Sequence, residues 1–510
     1  MSASWLARFN AGSIDPSLWL LTLVAVLFGT SFVYSVAYNL WFHPLRKVPG
    51  PLFAKIFNQY MVPSTLRLRR AQRLEKLHRE YGPVVRVAPN EVSIADWKVY
   101  REIYSTKANA KTDEFYAPAS FLDHENIFSM RNKAQHAARR KMQSQPYSQQ
   151  AVLQNEALIA DKAEILVRRM MNAAKGSASG VTADVYPLCG LFSLEVILKC
   201  AFNRDYGESL DGDSLTFCKA MDQSQTVLPI HGFFHFIDHK SGVYVPGSIG
   251  WGFKQFNTWV SMTAALCKDF QQHESAFDKT HKFMVTPLLV NKDEFLGRQL
   301  TQDEIVEEAM GIAFAGSGTT STTLCYLLYS LSRPEGQSIH ERLQRELQGV
   351  RETLREVQDL PLLNAVINET MRLYPAIVST LPRILHEPLN VGDFVLPRGT
   401  IVGMQNYIHQ RDPSLFPDPN KFVPDRWMAG SDRQKEMNAA LTPFSLGPRN
   451  CIGQNLARAE LYLATAHIFK RLHLTLDPRM TDKDMELEDR FNSAPVGRKL
   501  LLTVRVINND

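Results

Sequence analysis

One of the six cysteines in this chain stands where it could do chemistry. Residues 444 to 453 read FSLGPRNCIG, with Phe444, Gly447, Arg449, Cys451 and Gly453 at fixed spacing. A cysteine acts as a metal ligand through its thiolate, which a helix N-terminus or a neighbouring cation stabilises. Helical periodicity begins at Gln454, so Cys451 lies at such a terminus. As the axial ligand of a haem iron it would push electron density onto the metal and favour O–O cleavage. Each neighbour then has a task. Gly447 allows a tight turn beneath the ring. Gly453 lets backbone approach it, Arg449 pairs with a propionate, and Phe444 shields the sulfur from water. The plain alternative, a buried thiol in a glycine-rich loop, leaves the five fixed positions without a reason. Cys189, Cys200, Cys218, Cys267 and Cys325 are scattered with no C-x-x-C pair and read as small buried hydrophobes in a reducing compartment.

Three further patterns precede the loop. Ala315-Gly316-Ser317-Gly318-Thr319-Thr320 falls inside an apolar helical run from about Glu304 to Ser332. Glycines there cost helix stability and need a reason. A threonine hydroxyl can bond back to the carbonyl one turn earlier; a small-residue packing seam is the other reading. Glu369-Thr370-Met371-Arg372 places a carboxylate and a guanidinium at i and i+3 of a helix ended by Pro375, and Phe422–Trp427 brings a second arginine, Arg426. Two more basic positions stand out. One is Gln135-His136-Ala137-Ala138-Arg139-Arg140, and the other is Arg383 in Thr380-Leu381-Pro382-Arg383.

Together these motifs resemble the cytochrome P450 superfamily of haem-thiolate monooxygenases over nearly the whole chain after its first 48 residues. Trp41-Phe42-His43-Pro44-Leu45 through Pro51 resembles its membrane-anchored fungal members. The resemblance implies haem b held by Cys451, with Phe444, Arg449, Gly453, Arg140 and Arg383 around it. It makes Glu369, Arg372 and Arg426 a structural cluster. Thr319 and Thr320 become the oxygen-activation residues of a groove over the haem. It also implies one oxygen atom of O2 inserted into a lipophilic small molecule, by hydroxylation, epoxidation or a related oxidation, in secondary-metabolite biosynthesis. Electrons would come from NADPH through a separate reductase docking on a basic face around Lys133, Arg139 and Lys141. Expected substrate-lining segments are 110–127, Ile312 with Ala315, Ile377–Leu381 and a turn at Asn492–Ala494, under a roof at Val227–Phe256. Two departures stand out. Asp425 replaces the commoner Glu, and Gly318 stands where the family usually has an acid before the threonine. Glu307 shares nearly the same helix face but lies about 16 Å away by helical rise. Gly318 keeps alternatives open: a reductase-independent haem-thiolate isomerase or dehydratase, or a haem carrier or sensor without turnover.

The elements that must position these residues are mostly helical. Apolar spacing predicts helices over 67–81, 337–357 and 454–471. Strands are predicted at Val84–Val87 and Val92–Ala95, joined at Pro89-Asn90, and near Asn390–Leu396, Ile401–Met404 and Lys499–Val506. The fold expected is mainly α with a small β portion, one large domain at 49–510 behind an N-terminal anchor at 1–48. No Asp, Glu, Lys or Arg occurs from Pro16 to Leu45, and Leu18–Leu40 is long enough to span a bilayer. Arg46, Lys47 and Lys55 come directly after it, which predicts a retained single pass with the body on the cytoplasmic side of the endoplasmic reticulum; a cleaved signal peptide is the alternative. Across 510 residues, 57 Lys and Arg against 52 Asp and Glu give a net charge of +5 without any basic run, so no nucleic-acid partner is expected.

Overall fold

The computed structural model describes residues 16–507, apart from 108–109, 178, 209–211, 229, 231–236, 275–276, 278–280 and 429. Its organising element is one helix, Gln302–Ser332, of 31 residues. A reciprocal cap starts it, with the Thr301 hydroxyl accepting from the Glu304 N–H and the Glu304 carboxylate accepting from the Thr301 N–H. The Ala315–Thr320 segment does not break this helix. Helices Glu156–Lys175, Tyr186–Phe202, Ser248–His273 and Gln454–Arg471 share one large apolar core with it. Cys189, Cys200, Cys267 and Cys325 are buried there, with Cys218 at the margin.

A five-stranded sheet lies beside the helices. Its order is Val84–Ala88, Glu91–Ile94, Ile401–Met404, Arg383–Ile384 and Ala110–Lys111, with the second and third strands parallel and the other pairs antiparallel. Residues 84–94 make the hairpin the sequence predicts. Lys111 stands directly opposite Arg383 in the last pair. The hairpin Leu487–Arg490 with Asn492–Pro495 turns at Phe491, whose φ of 76° is costly for a side chain with a Cβ. The predicted helix over 337–357 is two pieces, Gln337–Leu347 and Leu354–Val357. Gly349, at φ +73°, breaks it.

Among the described residues one helix is long and apolar enough to cross a membrane, Trp19–Phe42, with a mean hydropathy of 2.0 and none of its apolar window buried. The segment after it is packed rather than loose. Leu45 and Val48 are buried against the sheet, and Arg86 donates to the Asn39 carbonyl at 3.0 Å.

Candidate functional site

The cysteine loop is closed by its own backbone. The Cys451 N–H donates to the Phe444 carbonyl at 2.9 Å, and Gly447–Arg449 forms a single 3-10 turn. Gly447 has φ +73°, and a Cβ there would meet the Tyr104 carbonyl at 2.5 Å, so two constraints demand glycine. A Cβ on Gly453 would meet nothing within 4 Å, which leaves the backbone at the helix start open to a flat partner. Burial pushes the Cys451 thiol up, while the Gly453 N–H and the Arg140 guanidinium pull it back toward the thiolate. The residue nonetheless keeps exposed surface. The Arg458 guanidinium lies 5.2 Å over the Phe444 ring.

Around this loop positive charge accumulates. Arg449 donates to the carbonyls of Met130 (2.6 Å) and Arg131 (3.1 Å), and burial and Arg383 lower it to about 10. Arg383 is buried between the rings of Tyr104 and Tyr116 and donates to the Tyr116 hydroxyl. Lys111 donates to the Phe128 carbonyl; burial holds it well below the usual lysine range, with Arg449 and Arg383 adding to the effect. His136 falls to about 3 through burial and the charges of Arg449, Lys111, Arg140 and Arg383. Arg140 spends two donors on Asn450, at its carbonyl (2.6 Å) and its side-chain oxygen (2.7 Å), and so holds the cysteine loop. Like charges placed directly across a strand pair destabilise it. Lys111 opposite Arg383, with Arg449 nearby, forms a like-charge group that an anion would relieve; Glu125 partly does so for Lys111 and Arg449. A haem fits these residues: a soft donor with exposed surface, a backbone cleared at Gly453, and the cations Lys111, Arg383 and Arg449, suited to two carboxylates.

On the other side, the Thr319 hydroxyl donates to the Ala315 carbonyl at 2.9 Å. Ala315 is exposed to internal space in the middle of a helix that is otherwise largely buried, and Gly311, Gly318 and Thr319 continue the open stripe. Thr320 faces away and is 3% exposed. A cavity of about 850 Å³ borders Gly311, Phe314 and Ala315. Its other walls come from Thr112–Phe128, from Ser379, Thr380 and Pro382, and from Asp489, Arg490 and Phe491. Three details differ from the sequence reading. Ile312 is buried in the helix core, and the hairpin lines the cavity with 489–491 rather than 492–494. The cavity also reaches Asn58–Thr65 and Ala88–Glu91, whose contribution depends on tertiary placement. In the predicted roof, Phe233, Phe234 and Phe236 lie outside the described residues; Phe253 and Phe256 are core, Tyr244 and Trp251 exposed.

The Glu369 cluster is assembled as expected. Arg372 meets both carboxylate oxygens at 2.9 Å, Arg426 donates at 3.1 Å, and Trp427 Nε1 and the Val423 N–H donate at 2.9 Å. Asp425 turns outward to a two-point pair with Arg342, which explains why it need not be Glu. Arg139 corrects the expected docking face. It is 1% exposed, donating to Asp293 at 2.8 Å and to Glu308, so of the three named cations only Lys133 and Lys141 are exposed.

Comparison with known proteins agrees with this geometry. The profile of the family described as Cytochrome P450 matches residues 48–502. The chain belongs to that family and is a haem-thiolate monooxygenase. Among its relatives are the "Cytochrome P450 monooxygenase hkm5" of Aspergillus hancockii, 29% identical over 90% of this chain and 91% of that one, and "cypX" of Dothistroma septosporum, 28% identical over 98% of both. "Cytochrome P450 monooxygenase stcB" of Emericella nidulans is 29% identical over 91% of this chain and 89% of its own. The solved structure of a retinoic-acid-bound cyanobacterial CYP120A1 superposes with a TM-score of 0.72 at 18% identity, covering 90% of this chain and 99% of that one, and shows the shared fold.

Proposed function

We propose that this enzyme oxidises a lipophilic small molecule in fungal secondary metabolism, with Cys451 as axial ligand of haem b and with Lys111, Arg383, Arg449 and His136 facing the propionates. The observation that carries the reading is a thiol with exposed surface at a helix start, beside the cations Lys111, Arg383 and Arg449. A bound haem supplies dioxygen reduction and oxygen insertion at the iron, and its thiolate ligand favours O–O cleavage.

The chain's own residues do the rest. The Gly453 N–H and Arg140 favour the thiolate of Cys451. Arg140, through Asn450, keeps the loop in register with the helix that carries it. Thr319 commits its proton to Ala315 and keeps its lone pairs free to accept from water. Phe121, Phe128, Phe314 and Phe491 line the cavity with aromatic surface, which favours a lipophilic substrate. The Trp19–Phe42 helix acts as a single anchor in the endoplasmic-reticulum membrane, with residues 49–510 on the cytoplasmic side. Electrons come from NADPH through a separate reductase docked near Lys133 and Lys141.

The test is reduction of the haem-loaded protein under carbon monoxide, followed by turnover with and without reductase. A red-shifted, thiolate-type Soret band and reductase-dependent product are expected. A folded, haem-loaded protein lacking that band overturns the ligand assignment. Product formed without reductase would establish the isomerase or dehydratase reading that Gly318 keeps open.

A further inference from the structure

The space beside Gly318 is filled from another part of the chain. A Cβ built there would lie 2.6 Å from Asn492 Nδ2 and 3.5 Å from its Cγ, so a side chain at 318 and the carboxamide at 492 exclude each other. Asn492 has little freedom to withdraw. It pairs with Arg490 across the hairpin and bridges to Ile377. Its neighbour Ser493 is fixed at three atoms: the N–H donates to the Ala376 carbonyl (2.7 Å), the hydroxyl donates to the Pro375 carbonyl (2.9 Å), and the carbonyl accepts from Thr322 (2.8 Å). On its other side Phe491 holds its positive φ, a strained conformation that persists only where the surroundings enforce it.

The Asn492 side chain is 3% exposed, and neither Nδ2 nor Oδ1 has a hydrogen-bond partner among the described residues. Leaving both ends of a buried amide unpaired forfeits its full hydration. A residue needed only to fill the space would do better as leucine. The adjacent charged groups are engaged elsewhere, Arg490 with Asp222 at 3.0 Å and Asp489 with Ser379.

We propose that Gly318 and Asn492 are a matched pair, in which the carboxamide from the hairpin is a positioning group of the central-helix groove and orients an ordered water beside the Gly318–Thr319 segment. This rests on the monooxygenase reading above. An amide donates and accepts but does not titrate near neutral pH, so it orients water without adding a charge. The helix then needs no acid of its own at 318, and the hairpin supplies polarity at that point.

The experiment uses the full-length, haem-loaded enzyme with reductase, NADPH and dioxygen, and no organic substrate. Electrons then leave either as hydrogen peroxide, one NADPH per dioxygen, or as water, two NADPH per dioxygen. Asn492→Leu keeps the volume and removes both polar atoms. It is expected to keep the thiolate-type spectrum and the thermal midpoint while raising peroxide per NADPH about fivefold, roughly what one lost hydrogen bond is worth. Unchanged peroxide yield overturns the proposal, and so does loss of folding, which would make the amide structural. Independently of turnover, Gly318→Asp should lower the thermal midpoint through its clash, and Gly318→Asp with Asn492→Gly should recover it. Losses that merely add would refute the pairing. An abnormal Soret band in the unmodified enzyme would instead refute thiolate ligation.

Discussion

The two sides of the candidate site are built on opposite principles. Around Cys451 the chain gathers positive charge: burial, Arg449 and Arg383 hold Lys111 low, burial and Arg383 lower Arg449, and His136 is driven to about 3. Along the Ala315–Thr323 stretch of the central helix the polar side chains are neutral and mostly satisfied within the chain, the Thr319 and Thr322 hydroxyls on carbonyls, with the Asn492 amide of the facing hairpin left over. On the proposed reading, the first side is the one a dianionic cofactor would occupy. The second holds its shape by packing and keeps polar capacity for small neutral molecules. On the proposed reading, binding of the prosthetic group and handling of water fall to different sets of residues.

The sharpest way to break this contrast is to remove the cluster that supports the charged side. Glu369→Ala leaves Arg372 and Arg426 buried without their carboxylate, at a cost of about 3–5 kcal/mol. The expected result is no folded, haem-loaded protein, read by yield and absorbance. A smaller effect, with opposite signs in two states, separates cofactor binding from stability. Lys111→Met should raise the thermal midpoint of the haem-free protein, because it relieves repulsion with Arg383, and should speed haem loss about tenfold, as expected for one charge-assisted hydrogen bond. Equal effects on both states would show that Lys111 only packs.

The smallest effect concerns Glu307, a buried carboxyl on the N-terminal half of the central helix. Its carboxylate accepts from the N–H groups of Phe121 (2.9 Å) and Leu122 (2.6 Å) and from Asn126 Nδ2 (2.6 Å), and so pins the loop that walls the cavity. Burial is the main cause raising it to about 7. A carboxyl raised in the folded state stabilises fully below its unfolded pKa, and that contribution is lost as pH rises through about 7. Thermal midpoints should therefore fall between pH 5.5 and 8, conditions spanning the neutral range about that value. In Glu307→Gln the fall should be shallower. An identical slope would show that the carboxylate does not set it.

Legibility from sequence divides along the same line. The cysteine loop and Glu369 with Arg372 are local spacings, readable because neighbours along the chain are neighbours in space. Lys111 is not legible as a site residue, since its importance arises from strand register opposite Arg383. Helical periodicity puts Arg139 on the surface because it does not reveal that Asp293 and Glu308 cover that face. By sequence Asn492 belongs to a substrate-lining turn, and only tertiary contact brings it against Gly318. The family resemblance is enough for the fold class, whereas Gly349 interrupts a helix that apolar spacing alone extends.

The tie between Arg86 and the Asn39 carbonyl bears on how a shortened protein should be made. Arg86 is fully buried and also donates to the Pro89 carbonyl, and Gly50 packs against its backbone. Cutting at the proline-rich stretch would strip Leu45 and Val48 from the sheet and leave a guanidinium without one of its acceptors. A cut before Tyr38 removes most of the apolar helix and spares this collar.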